Sequence, residues 1–534
     1  MLRQKNRNSL PFRLLNIFRI CIRFSACSSA GLFFCRSCAN HQAKLTNSRG
    51  VCKMSDENNE SGGLQRTIDW KQGLAIALGV PVLILPSIGY FASYVWAFAI
   101  LVWALSVFQG FMQNFAYGEL ATMFPRASGL PGFAQSVFRA SDENKRYEKS
   151  KLLGGFSAWS YWFAWNPVLA IFSILIGSYL KGLIPAFAGV PDLAMYLVSG
   201  ATVFLFLILV NYRGLSGGAT LGYILAVLSL APLIIISLAP FATGHFEMSN
   251  ITGSWLPTDW SWDVQHILIL LGLFAMAQWS ACAWETAAIY GPEYKQPRSD
   301  VPKALFICGA ICLVTFILVQ AACTGTLGVE GILAEPFSPM LPMAQMTLGS
   351  IGGSLAILML IAAMILIIQT AFLGASRAMY SMAGEGNLPK FFGKMNIYGT
   401  PVNAMIVIAL FNMGFIFLGT PAAILAASAI GYVCANGISL FAYVKAKFDP
   451  RFSTLERPFK APGGWQYVAA FFGFFNLPLC LIGIVYLNSL EVGWASTIVG
   501  FVVLALYIPL WFYSQKEGAS ETGKEKIAVS ENSV

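Results

Sequence analysis

The sequence predicts an all-α integral membrane protein of about twelve transmembrane helices, and three observations carry that expectation. Hydrophobic residues make up 57% of the 534 positions and charged residues 11%. With a mean hydropathy of +0.65, the chain has too little polar surface to cover a soluble globule of this size. It also divides into apolar segments of the roughly 20 residues that a helix needs to cross a bilayer. Two of these segments, within Asp69–Arg139 and His266–Leu305, are interrupted where a transmembrane helix should be continuous. Interrupted helices at matching places in two halves of a chain mark secondary transporters that bind substrate near the bilayer midplane.

The expected spans are 71–93, 95–118, 157–181, 193–211 and 218–240 in the first half. They are 266–290, 304–324, 352–376, 401–419 and 422–445 in the second, with 466–488 and 494–513 following. In the first span, Gly79, Val80 and Pro81 interrupt the apolar run. Pro81 has no amide proton, so the carbonyl of Ala77 loses its helical partner, and Gly79 lets the backbone leave helical geometry. A freed carbonyl must face a cavity, an ion or a substrate rather than lipid. The half-helix that follows presents its amino-terminal dipole to an anion. A simple kink satisfied by neighbouring helices is the alternative for one proline standing alone. The sixth span repeats the pattern, because Ser280, Ala281, Cys282 and Ala283 lie between Trp279 and Trp284, and the pair favours a binding site.

Orientation follows from the basic residues. The loops after spans 2, 4, 6, 8 and 10 carry Lys and Arg, among them Arg126, Arg139, Lys145, Arg146, Arg213, Lys295, Arg377 and Lys445, whereas the opposite loops carry Lys181. Cytoplasmic loops retain positive charge, so both termini are expected in the cytoplasm of a cell-membrane protein. The 241–263 loop, with His245, Glu247, Asp259 and the sequon Asn250-Ile251-Thr252, is expected outside.

The formal charge of +9 comes from residues 1–53, which hold ten of the 34 basic residues and no acid. The rest of the chain is near neutral, and no nucleic-acid partner follows. The leader has the composition of a mitochondrial transit peptide, while MSDENNESGG from Met54 reads as an ordinary polar amino terminus and favours an upstream-start artefact for 1–53. Residues 54–68 and 514–534 read as cytoplasmic tails around a transporter domain at 69–513. Cys282, Cys308, Cys312, Cys323, Cys434 and Cys480 lie in apolar spans and predict no disulfide. Cys35 and Cys38 lack a second pair or His cluster at zinc spacing. The absence of a phosphate loop or a dinucleotide-binding glycine motif leaves no cofactor expected and no support for ATP-driven transport or redox chemistry. Polar groups in the spans form no nucleophile and base pairing, so an enzyme is not expected.

Four ordered motifs resemble one family. Gly79 to Pro86 read GVPVLILP, similar to GSGIFxLP; Glu119 to Gly129 read ELATMFPRASG, close to ELxxMFPRAGG. Trp284 to Ala287 and Glu293 to Ala304 resemble WExA and ExKNPRRDxPRA, and Arg457 to Gly464 resemble RPFxxPGG. Over about residues 69–513 the chain resembles the amino acid permease branch of the amino acid, polyamine and organocation (APC) superfamily. The resemblance implies the LeuT-like architecture, with spans 1–5 and 6–10 as inverted repeats, broken helices 1 and 6, and two further helices. It implies an amino acid substrate.

Relatives place a hydroxyl residue and a second glycine where this chain has Val80 and Pro81, so two donors for a substrate carboxylate are missing. The amides of Val82 and Leu83 are the remaining candidates, and an amine or polyamine without a carboxylate is the alternative substrate. Trp279 aligns with an aromatic that closes over substrate in the family's arginine and agmatine exchanger, and an indole face attracts a cation by roughly 0.5–2 kcal/mol. The backbone carbonyls near Trp279, Ser280 and Cys282 fall where an amino group is bound. Asn166 matches a site residue of that exchanger; its alternative role is bonding between helices. Glu285, an intramembrane carboxylate, is a functional candidate by default, and its counterpart in the exchanger governs proton-sensitive gating; a structural carboxylate at the repeat interface is the alternative.

In span 5, Ser229 stands where some proton-coupled relatives have a lysine three residues before the proline, here Pro232, so no fixed cation replaces sodium. Thr370 and Ser376, with the Ala77 carbonyl, are weak candidates for sodium oxygens, because such hydroxyls also bond their own helix. Coupling to a proton or to sodium stays open between symport and exchange. The expected partners are a small amino acid or amine and the lipid bilayer. A non-transporting sensor on the same scaffold is the rival class, and neither tail is long enough for a signalling domain.

Overall fold

A computed structural model describes residues 64–139, 147–336, 338–417 and 421–518. The leader at 1–53, most of both tails, and Lys145 and Arg146 lie outside the described residues. Within them the chain is helical, with one isolated parallel bridge between Ile68 and Tyr294. Among the described residues, nine helices are long and apolar enough to cross a membrane, and the apolar helices Val264–Ser280 and Val402–Ile416 are shorter. One of the nine runs, Leu83–Met123, turns sharply at Trp96, where φ is +48°.

Both interrupted segments begin on an aspartate. Asp69 caps Trp70–Ala77 by accepting from the Gln72 amide, and the Gln72 side chain accepts in turn from the Asp69 amide, a reciprocal box that satisfies two otherwise orphaned donors. Asp263 caps Val264–Ser280 by accepting from the His266 amide at 2.9 Å. That amide, with Ser261 and the His266 ring, holds the Asp263 carboxyl well below the usual carboxylate range. After the first cap the helix stops at Ala77, and Val80–Ser87 continues as 3-10 helix before Ile88–Val95. After the second, Ala281 and Cys282 form a turn, followed by the short helix Ala283–Thr286 and 3-10 helix Ala287–Glu293.

Several helices exceed the expected spans. The third starts at Lys149 rather than 157 and breaks at Asn166–Pro167, because Pro167 cannot donate to the turn before it. Pro297–Ala334 and Met340–Gly384 extend past the expected 304–324 and 352–376, each carrying a kink at a positive-φ glycine, Gly328 and Gly349. Gly272 and Gly483 bring Val264–Ser280 and Leu481–Glu491 into close contact; a Cβ on Gly483 would lie 2.6 Å from the Gly272 nitrogen. Small residues allow such approach where no water drives helices together.

Candidate functional site

The first interruption packs against Met340–Gly384. Gly79 is itself right-handed, with φ −61° and ψ −28°, which corrects the expectation that it supplies unusual backbone freedom. Its role is steric, because a Cβ there would lie 2.2 Å from Thr370 Oγ1 and 2.9 Å from the Leu366 carbonyl oxygen. That approach lets the Thr370 hydroxyl donate to the Ile76 carbonyl at 2.6 Å, while also facing Leu366 O at 2.9 Å. Ile76, one residue before the expected Ala77, thus has its carbonyl met by a side chain from another helix. Val80, Pro81 and Leu83 are buried. Ser229 donates to Leu225 O on its own helix. Ser376 does not join Thr370, since it donates to Leu373 O and accepts from Arg377; a hydroxyl next to a guanidinium is a poor cation ligand.

At the second interruption Trp279 is 3% exposed, and its Nε1 donates to Ala164 O at 3.1 Å. The Trp279 carbonyl accepts from the Cys282 thiol, and the Cys282 carbonyl accepts from Thr286 Oγ1. The carbonyls expected to meet an amino group therefore have internal partners in this conformation. Ser280 faces Ser87 at 3.5 Å, joining the two interrupted segments. Asn166 accepts from Asn412 Nδ2 at 2.8 Å across helices and is not among the residues of the cavity described next.

That cavity has a volume of about 320 Å3. Leu83 contributes to its wall from the first interrupted segment and Trp279 from the second, and Phe172, Leu425, Tyr90 and Glu491 also line it. Of the predicted site residues, Leu83 and Trp279 line it, while Gly79, Val80, Pro81, Ser280 and Cys282 are not among its lining residues. The backbone of Val82 continues the 3-10 helix.

Glu285 is buried, and no Lys, Arg or His pairs with it among the described residues. Tyr117, Tyr161 and Tyr432, with Cys282 and Cys308, form its electrostatic surroundings. A carboxyl group without a counter-ion has one charge chemistry available, gain and loss of a proton.

A chain of amides that the sequence reading passed over runs beside it. Gln109 Nε2 and Gln278 Nε2 donate to Asn476 Oδ1 at 2.8 and 3.1 Å. Asn476 donates to Asn436, and Asn436 donates to Gln113, which also accepts from Tyr117. Asn476 sits in a π-helical turn ahead of Pro478. Its available signal was polarity, since each is an amide within an apolar span.

At the far end of the second segment, Arg377 donates Nε and Nη2 to the two oxygens of Glu293, both at 3.0 Å and both residues buried. The amides of Thr67 and Ile68 donate to the Glu293 carbonyl, and that of Lys295 donates to Ile68 O. The start of the first interrupted segment is therefore laced to the end of the second. Glu119 makes a further tie: it accepts from Tyr443, Lys447, Arg457 and the Ala461 amide.

Comparison with known proteins agrees with this architecture. The amino acid permease family profile matches residues 68–507. An arginine/ornithine antiporter of Lactococcus lactis is 23% identical over 455 residues, covering 81% of this chain and 84% of the antiporter. A probable polyamine transporter of Arabidopsis thaliana is 24% identical, covering 72% of each chain. The crystal structure of the Eremococcus coleocola manganese transporter, in complex with an aromatic bis-isothiourea compound, superposes with a TM-score of 0.53 at 12% identity, covering 86% of this chain and 97% of that one, a likeness of fold alone.

Proposed function

The chain belongs to the amino acid permease family, and from that premise we propose that it is a secondary active transporter that moves an amino acid across the cell membrane by alternating access. In this reading the helices make twelve spans in the LeuT-like arrangement, spans 1–5 and 6–10 being inverted repeats, with both termini in the cytoplasm. The observation that carries the proposal is the cavity of about 320 Å3 with Leu83 of one interrupted helix and Trp279 of the other on its wall. Its volume suits a small organic ligand. The Arg377–Glu293 pair and the lacing of Thr67 and Ile68 to Glu293 lie among the basic loops, so this conformation is closed toward the cytoplasm and receives substrate from outside.

Passage inward then requires two changes. Trp279 must release Ala164 O, a bond of about 0.5–1.5 kcal/mol that substrate contacts can replace. The lacing at Glu293 must part, and the buried ion pair makes that a discrete step rather than a gradual loosening. Glu285 serves as the proton carrier in the proton-coupled form of the cycle. Sodium is the weaker alternative, because Thr370 already bonds Ile76 O and Ser376 faces Arg377.

An amine substrate is the second reading, favoured by Pro81, which offers no amide to a carboxylate. The test is uptake into proteoliposomes of radiolabelled amino acids and their decarboxylated amines, with imposed proton or sodium gradients and with or without preloaded substrate. Accumulation of amino acids supports the first reading and movement of amines alone the second. Binding without movement of either leaves a sensor in place of a transporter.

A further inference from the structure

The cavity has one charged residue among the described residues that line it. It is Glu491, the last residue of Leu481–Glu491, at an exposed position of the lining, whereas Trp279 is buried and most of the other lining residues are apolar. Tyr94 Oη donates to Glu491 Oε2 at 2.8 Å, and the Tyr94 and Tyr90 rings meet at a tilt of 59° with centroids 5.5 Å apart. No other hydrogen bond or ion pair to Glu491 occurs among the described residues, so its second oxygen is available. Glu491 is exposed, and no Lys or Arg lines the cavity to neutralise it.

The loops on the same predicted side extend this field. Glu247, Asp259, Asp263, Glu330 and Glu335 lie there, Glu335 directly before the cavity residue Pro336. Lys181, the basic residue of that side, is already paired with Asp192. A mouth lined by one sign of charge over low-dielectric walls concentrates ligands of the opposite sign.

We propose that Glu491 is the outer cation subsite of this cavity: it holds a second, distal ammonium of a dibasic substrate while the rest of the molecule lies along the apolar wall toward Trp279. The proposal rests on the transporter reading for its place in the cycle, but the subsite is defined by binding. Tyr94 fixes one carboxylate oxygen and leaves the other to accept from the ammonium, and the Tyr90 ring offers a face to the same charge. A dibasic amino acid or a diamine satisfies this arrangement. A neutral chain of equal length leaves the carboxylate unmatched, and a site built for a charged donor discriminates strongly against a ligand without one.

The experiment is equilibrium binding to the purified full-length protein in nanodiscs with two matched pairs, ornithine against norvaline and putrescine against butylamine, each differing by one terminal ammonium. Wild type is expected to favour the dibasic member about tenfold or more, the effect of one charge-assisted hydrogen bond. Glu491→Gln is expected to bring each ratio close to one through weaker binding of the dibasic member, and Glu491→Asp to retain most of the preference. Should Glu491→Gln fail to fold, salt supplies the second measurement: rising ionic strength weakens ornithine and leaves norvaline unchanged. The proposal is overturned if wild type shows no dibasic preference, if none of the four probes binds, or if Glu491→Gln keeps the wild-type ratio. Uptake of the same probes into proteoliposomes separates the two claims, because a dibasic preference in binding without transport removes the transporter reading and keeps the subsite.

Discussion

Replacing Gly79 by alanine tests the packing of the first interruption. The new Cβ falls 2.2 Å from Thr370 Oγ1 and 2.9 Å from Leu366 O, both too close to be tolerated without movement. Backbone preference does not oppose the change, since φ and ψ at Gly79 are −61° and −28°, and the alanine gains about 0.4–1 kcal/mol from a less flexible unfolded chain. Against that gain, Thr370 must rotate and its single hydroxyl proton, shared between Ile76 O and Leu366 O, loses a bond of about 0.5–1.5 kcal/mol. Backbone must also withdraw from Leu366 O, an overpacking cost of about 1–3 kcal/mol. The net expectation is a loss of about 1–4 kcal/mol, read as a lower unfolding temperature of the purified protein in detergent. Thr370→Ala removes the hydroxyl and so part of the clash. The double variant should therefore lose less than the sum of the singles, by about 1 kcal/mol. Wild-type stability in Gly79→Ala, or strict additivity in the double variant, refutes the steric account.

Other substitutions probe the rest of the site. Trp279→Ala should abolish uptake, while Trp279→Phe keeps the ring, loses the bond to Ala164 O and retains partial transport; equal activity of both with wild type removes Trp279 from the pathway. Glu293→Gln and Arg377→Met should each destabilise the cytoplasmic closure by about 3–5 kcal/mol, because each leaves a buried charge unpaired, and the double variant should recover much of the loss; unfolding of all three proteins decides this. Glu285→Gln should leave substrate binding intact and flatten the pH profile of uptake, and a profile identical to wild type would exclude Glu285 as the proton carrier.

The two interruptions were legible because glycine, proline and small residues punctuate an apolar run whose continuity the bilayer otherwise demands. Helix ends were harder to read. Lys149, Lys151, Gly154 and Gly155 conceal a helix that starts eight residues before the expected 157, since helical backbone continues beyond the hydrocarbon layer into polar sequence. Trp279, expected to face substrate from the family resemblance, is one of the residues lining the cavity. Asn166, read either as a site residue or as a bond between helices, accepts from Asn412, a partner 246 residues away that no local pattern indicates. The same holds for Glu491, whose bond to Tyr94 spans 397 residues, and for the amides gathered around Asn476. Sequence periodicity identifies which faces are apolar, whereas these contacts depend on which helices become neighbours.

Whether substrate occupies the cavity between the two interrupted helices is decided by substrate protection of a cysteine placed in its wall. Leu425 lines the cavity, and the described native cysteines are buried, so Leu425→Cys can be labelled by a membrane-impermeant thiol reagent in intact cells. Labelling from outside is expected, and it should slow in proportion to occupancy by the transported amino acid or amine. Labelling that ignores a substrate the variant still transports would contradict that occupancy.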